Sequence, residues 1–432
     1  MNVRILDYDE VINELEKIGC NPYFSKQDFY DTEFDNIKIP YYIYGKGDNH
    51  IIVVGGTHGS EIISVDFVLR LMQDLAFTKR FYDDFTFHFI PLLNPEGYII
   101  STSMIKGILN KNASEKEIID ASLKYYLRYK KDDELSKNYN SIKNIKLHQQ
   151  MFDNTSYKNI PDKYLNLKEN VRKICENNKE IPMGSLVVWR GNGLGIETNR
   201  DNKYVQWLDL VKSGVKKYGS NRYNNIPDLV EGPLGKICVD INDLDKHTKE
   251  NTFLLNLIKK IYDSGKYAGM YIYHGTGGEI FYKICPDLIG EVIDINNASK
   301  YVQINKKIAL NYSENTKYKT KKFEKNGYKL VENPNLIGMD ELLRAIYPAV
   351  LLIELSYMGG NPLGPYADKD NNYIPTIEYN IKAFYSSIII NKSLKNEYKD
   401  LFNKKTKWFD KIIFFYIIQN TKFLRGMNLW RI

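Results

Sequence analysis

Residues 51–61 read IIVVGGTHGSE. Four β-prone apolar residues run into two glycines, and His58 and Glu61 follow three apart. A short apolar run closed by glycines has the pattern of a buried strand. The polar residues beyond it read in two ways: half of a metal site, or a polar turn after a strand. The stretch by itself leaves both open.

Working outward, KIPYYIYGKG (38–47) alternates as a strand before HIIVVGG (50–56), and SVDFVLRLMQDL (64–75) carries apolar residues at helical spacing. FTFHFIPLL (85–93) reads as a further strand ending at NPEGY. Residues 104–183 change texture to Lys, Asn, Glu and Tyr, and are expected to form a long insertion. Strand character returns at SLVVWRGNG (185–193), followed by an amphipathic helix, ENTFLLNLIKKIYDSG (250–265), and a strand, YAGMYIYHGTGG (267–278). After a polar segment at 290–335 come a helix, MDELLRAI (339–346), an apolar strand, AVLLIEL (349–355), and a closing helix, IEYNIKAFYSSIII (377–390). No internal repeat is visible.

Strands alternating with helices predict an α/β fold: a central mixed, largely parallel sheet with helices on both faces. The expected organisation is an N-terminal helical and loop segment (1–36), a main α/β domain (37–395) that carries the long insertion, and a basic, aromatic tail (396–432). A polar or glycine-rich group follows each of five apolar runs: GGTHGSE, NPEGY, RGN, HGTGG and ELSY. Ligands of open α/β sheets bind beyond the carboxyl ends of the strands. Parallel neighbours would bring all of these groups to one cleft.

Composition narrows the function classes. The 432 residues are 43% hydrophobic and 26% charged, enough for a large soluble core. The net charge of +7 comes from lysines scattered among Asn, Ile and Tyr, without the basic stripe of a nucleic-acid protein. Four widely spaced cysteines (Cys20, Cys175, Cys238, Cys285) form no C-x-x-C pair and fit a reducing compartment. The first residues lack the apolar core of a signal peptide, and IIFFYII (412–418) is far short of the ~18 residues that span a bilayer. The expected location is therefore cytoplasmic. The tail interleaves basic and aromatic residues, so membrane contact there is the alternative to a packed terminal helix.

Zinc hydrolases use three protein ligands and leave one position open for water. Of the six histidines, His58 and His274 directly follow buried-looking strands among glycines. With Glu61 they would complete a His₂Glu set; the alternative for His274 is a backbone-bonded capping role. His88 lies mid-strand and is expected to pack, while His50, His148 and His247 are expected to face solvent.

HGSE, NPEGY, WRGNGLGIETNRD, YHGTGG and IEL occur in this order. The series resembles the zinc carboxypeptidase family, the carboxypeptidase A-like peptidases, over about residues 37–390 without the insertion. The resemblance implies one zinc ion held by His58, Glu61 and His274, and Glu354 as general base. It implies that Arg190 stabilises the oxyanion, and that Asn199 and Arg200 grip the substrate's terminal carboxylate. The implied substrate is a peptide with a free C-terminus. Met339, just before Asp340, matches the position lining the terminal side-chain pocket, where it argues against a Lys or Arg preference.

Departures accompany the match. Glu197 stands where the family has a supporting Asp. The family's mobile tyrosine has its nearest counterpart in Tyr328, in a Gly-Tyr pair like that of bacterial members cleaving cell-wall peptides, which also share Asn361-Pro362-Leu363. The 104–183 insertion, anchored at both ends near the cleft, reads either as a lid or as a solvated excursion. Rival functions are an aspartoacylase-like zinc amidohydrolase of N-acyl amino acids and a non-catalytic zinc-binding protein of the same fold.

Overall fold

The computed structural model describes residues 4–34, 36–109, 113–131, 156–177, 183–200, 248–290, 292–319, 324–325, 327–332, 334, 338–356, 363–366 and 373–402. The expectations for His148, His247, Cys238, Asn361, Pro362 and the tail beyond Phe402 lie outside these residues, as does the side chain of Arg200.

The chain opens with α1 (Tyr8–Gly19), started by a capping box in which Asp7 accepts from the Glu10 N–H and Glu10 accepts from the Asp7 N–H. Val11, Leu15 and Ile18 lie on its buried face and join a hydrophobic cluster whose members run from Ile5 to Phe402. The strands that follow are β1 (Phe24–Lys26), β2 (Tyr30–Asp31), β3 (Lys38–Ile39), β4 (Tyr42–Gly45) and β5 (Asn49–Val54). The strand expected over 38–47 is thus split around Pro40, whose missing N–H cannot serve a ladder. β6 is Phe85–Ile90, β7 Tyr267–Thr276, β8 Glu279–Phe281, β9 Tyr318–Lys319, β10 Glu324–Lys325, β11 Lys329–Val331 and β12 Val350–Ser356.

Among the described residues, eight strands form one sheet in the order β1-β4-β6-β5-β7-β12-β8-β11. The central neighbours β6, β5, β7 and β12 are mutually parallel, while β4 and β8 join antiparallel. Chain order steps from β5 outward to β6, then reverses across β5 to β7 and β12. The reversal leaves a crevice at the carboxyl ends of β5 and β7, the topological switch point where such sheets bind ligands.

Helices cover both faces. α2 (Ile62–Thr78) sets Phe67 against Tyr273, and the long closing helix (Tyr373–Glu397) sets Phe384 against Phe87 and Tyr271. On the opposite face, Phe253 of the helix Lys249–Asp263 packs on Tyr41, which stacks on His88. Adjacent strand residues point to opposite faces, so Phe87 and His88 mark the two layers of an α/β sandwich.

In chain order the helices after α2 among the described residues are α3 (Pro95–Ile108), α4 (Glu115–Lys131), α5 (Leu165–Asn177), α6 (Lys249–Asp263), α7 (Ile295–Asn315), α8 (Met339–Ile346), α9 (Tyr373–Glu397) and a last turn, α10 (Lys399–Phe402). Two expectations are corrected. SLVVWRGNG is not a strand: Met183–Val188 form a 3₁₀ helix packed on α3, with Ser101 bonded to the Val187 carbonyl. An apolar run records burial, and here the burial is against a helix. The segment at 290–335 is not simply polar: α7 buries Ala298, Tyr301, Ile304, Ile308 and Tyr312 at helical spacing beneath its Asn and Lys residues. Among the described residues, no helix is long and apolar enough to cross a membrane.

Candidate metal centre

β5 ends at Val54, and the chain turns through Gly55 and Gly56. Gly56 has φ +64°, and a Cβ there would lie 2.7 Å from Leu92 Cδ1. The Ser64 hydroxyl ties the turn to α2: it accepts from Gly56 N–H (3.0 Å) and donates to Glu61 O (2.7 Å). His58 and Glu61 therefore project over the end of the sheet from a fixed turn.

His274 arrives on the neighbouring strand, β7. Its Nδ1 lies 3.2 Å from His58 Nδ1 and 3.0 Å from Glu61 Oε2, while His58 Nδ1 lies 2.9 Å from Glu61 Oε1. Ligands of a tetrahedral zinc at ~2.0–2.1 Å stand about 3.3 Å apart, so these three donors already have the spacing of such a site. Among the described residues this is the one group of three or more His, Cys, Asp or Glu able to share an ion.

The outward nitrogens are held as well. His58 Nε2 lies 3.1 Å from Glu197 Oε1, and His274 Nε2 lies 3.0 Å from Asp340 Oδ2. Carboxylates at Nε2 favour the tautomer with its proton there, which turns the Nδ1 lone pairs inward. All five side chains are buried. Burial disfavours the charged forms, yet it is outweighed: Asp340 and Glu61 hold the His274 pKa well above its ordinary range, and His58 and His274 hold Glu61 well below. The cluster thus sets two imidazoles among buried carboxyls, a donor set that suits a divalent cation.

Glu354 stands opposite His274 in the β12–β7 register, so both side chains leave the same face of the sheet. It is half-buried, unlike the apolar residues before it. Arg190 Nη2 lies 3.3 Å from both ring nitrogens of His58 and 3.7 Å from Glu197 Oε1. Asn199 sits in a short 3₁₀ turn (Thr198–Arg200), and its Oδ1 accepts from the Asp340 N–H at 3.3 Å. Met339 is buried at the start of α8.

Other expectations are corrected here. Tyr328 is not presented to the cluster. Its hydroxyl donates to Leu355 O (2.6 Å) and accepts from Asn380 Nδ2 (2.8 Å), fixing it in the core behind β12. His50 does not simply face solvent: it is half-buried and bonded to His88 Nε2 at 2.9 Å. Asp340 as the partner of His274 escaped the sequence reading. Its sequence signal, an acid opening a short helix before the last strand, equally describes an ordinary cap.

Residues 35–159 match the family model described as zinc carboxypeptidase. The chain resembles the zinc carboxypeptidases. Carboxypeptidase A from Helicoverpa armigera, at 12% identity over 91% of this chain and 75% of its own, superposes with a TM-score of 0.50 and shares the fold. Bovine thrombin-activatable fibrinolysis inhibitor, solved with a tick carboxypeptidase inhibitor, matches at 12% identity over 91% of this chain and 98% of its own, with a TM-score of 0.48. No curated protein sequence matches the chain. The resemblance to zinc carboxypeptidases agrees with the chemistry of the donor set, in which two imidazoles and a carboxylate are typical zinc ligands.

Proposed function

We propose that the protein is a zinc-dependent carboxypeptidase that removes the C-terminal residue of a peptide. The convergence of His58 Nδ1, His274 Nδ1 and Glu61 within 2.9–3.2 Å of one another, at the switch point of the sheet, carries this reading. His58, Glu61 and His274 would hold one zinc, which when bound supplies Lewis acidity and brings the pKa of a water to about 7.

This chain's own residues then divide the work. Glu354 accepts a proton from the attacking water and delivers it to the leaving amine nitrogen, as the carbon–oxygen bond forms and the carbon–nitrogen bond breaks. Arg190, a quarter exposed beside His58, donates to the peptide oxygen as negative charge collects there. Arg200 suits the terminal carboxylate with its planar fork of donors, and Asn199 adds its amide N–H. Met339 favours an apolar or other neutral terminal side chain over Lys or Arg.

The test is zinc content by elemental analysis, followed by amino-acid release from a mixed peptide panel with and without chelator. Stoichiometric zinc and chelator-sensitive release that disappears in Glu354→Gln are expected. Stoichiometric zinc without release would refute the enzyme reading, and turnover of N-acyl amino acids alone would replace the peptidase with an amidohydrolase.

A further inference from the structure

We propose that the buried carboxyls of Glu96 and Glu250, the first ionised and the second protonated, together hold the loop that positions Arg190 for turnover. The proposal rests on the oxyanion role given to Arg190 above. Neither acid belongs to the metal cluster, and both side chains are fully buried.

The pair grips the loop that follows Arg190. Glu96, in the first turn of α3, accepts from Gly193 N–H (2.7 Å) through Oε2 and from Phe34 N–H (3.0 Å) through Oε1. Glu250, in the first turn of α6, has Oε2 3.5 Å from Asn192 Nδ2. Its Oε1 has no hydrogen-bond partner among the described residues. Asn192 organises the loop from within: Oδ1 accepts from Leu194 N–H (3.0 Å) and Ile196 N–H (3.2 Å), and its carbonyl accepts from Trp189 Nε1–H (2.9 Å). Asn94 secures the near end, donating to Gly191 O (3.0 Å) and Arg190 O (3.3 Å).

The two acids are not equivalent. Glu96 accepts two short backbone N–H bonds, which stabilise a carboxylate; Glu250 has its own backbone N–H and the long Asn192 contact, and these do not outweigh burial beside Glu96. The proton therefore rests on Glu250. The charged and titratable groups facing it are Glu96 on α3 and Glu33 before β3, both acidic. The neighbouring Lys249 directs Nζ to Thr32 O (2.7 Å) and lies 3.7 Å from Glu33. Burial first, and then Glu96, push the Glu250 carboxyl up to about 8, and burial raises Glu96 too.

Loss of that proton to solvent leaves two buried anions around one loop. The loop has no slack to absorb them, because a Cβ at Gly193 would already meet Glu96 Oε2 at 2.7 Å and Phe34 Cε2 at 2.5 Å. The strain is relieved by displacing residues 191–193, which withdraws Arg190 from His58.

The test uses the full-length zinc-loaded protein. Trp189 is fully buried and bonded into the loop, so it reports loop position once Trp207, Trp408 and Trp430 are replaced by Phe. Its emission is expected to shift to the red as pH rises through about 8, and kcat on a peptide substrate to fall at least fivefold over the same range. Glu250→Gln, a neutral isostere of the protonated acid, is expected to abolish the emission shift and carry turnover into the alkaline range, whereas Glu250→Leu is not expected to restore it. Emission that is constant from pH 6 to 9.5, or an alkaline limb unaltered in Glu250→Gln, overturns the proposal. An emission change without a matching fall in kcat overturns the link to Arg190. If no peptide is cleaved at any pH, the functional reading fails, while the Trp189 titration still decides the pair.

Discussion

Asp340→Asn isolates the carboxylate behind one candidate ligand. Asp340 Oδ2 lies 3.0 Å from His274 Nε2 in a buried setting, where a charge-assisted bond is roughly twice as strong as a neutral one. Asparagine keeps the size and keeps the backbone N–H that Asn199 accepts, so the start of α8 is preserved. Glu341 still caps the Gly338 N–H at 2.8 Å. What is lost is the charge that holds the Nε2 proton and turns Nδ1 inward. Removing such a partner typically weakens metal binding about 10- to 100-fold, or about 1.4–2.7 kcal/mol. Glu197→Gln, acting on His58 at 3.1 Å, is expected to fall in the same range. The carboxylates act on different imidazoles, so the double variant is expected to approach the sum of the two losses. The assay is zinc affinity by competition with a chelating dye, with circular dichroism of the zinc-free variants to confirm folding. A zinc Kd within threefold of wild type for folded Asp340→Asn, alongside loss of zinc in His274→Ala, would refute the reasoning.

Three further outcomes are expected. Glu354→Gln should lower kcat by about 10²–10⁴ while leaving zinc content intact; equal loss of zinc would make Glu354 a ligand instead of a base. Gly59→Ala should cost about 3 kcal/mol or more, because its Cβ would lie 2.0 Å from the Gly97 carbonyl carbon, where only backbone can yield; an unchanged melting temperature counts against the packed turn. Burial, then His50 and Lys260, lower the His88 pKa from 6.5 to about 3. The unfolded chain therefore takes up the proton first, and His88 contributes its full stability above pH 6.5. That contribution is lost as pH falls toward 3, at ~1.4 kcal/mol per pH unit. In urea titrations of zinc-free protein between pH 7 and 4.5, His88→Gln should flatten this decline, and parallel curves would exclude the effect.

Legibility of the fold followed its period. IIVV, FTFHFI and AVLLI are short apolar runs closed by glycines or polar residues, and each is a central parallel strand. Helices with a plain amphipathic stripe, such as α6 and α8, were also visible. LVVW looked the same as the strands but is buried against α3, because a run of apolar side chains states that a segment is covered and not by what. α7 was hidden for the opposite reason. Its stripe of Ala298, Tyr301, Ile304, Ile308 and Tyr312 is diluted by Asn and Lys on the exposed face and needs the partner α9 to become evident.

The candidate site divides along the same line, between residues that act at a strand end and residues that act on other residues. The cluster of His58, Glu61 and His274 was legible because the proposed chemistry calls for their identity and the strand ends fix their position, and both constraints fall on short stretches of chain. Glu197, Asp340, Glu96 and Glu250 are carboxylates in helical turns or loops, where an acid beside a helix start has an ordinary reading. Only burial separates them from caps: a carboxyl that is fully covered must be paired, protonated or beside a cation. Three answers serve the four: an imidazole for Glu197 and for Asp340, backbone N–H groups for Glu96, and, in the reading proposed above, a proton for Glu250. The first two act on the candidate ligands directly and should register in metal affinity. The last two act through the Arg190 loop and should register in the pH dependence of turnover, so the two kinds of support can be separated by measurement even though their sequence signals are the same.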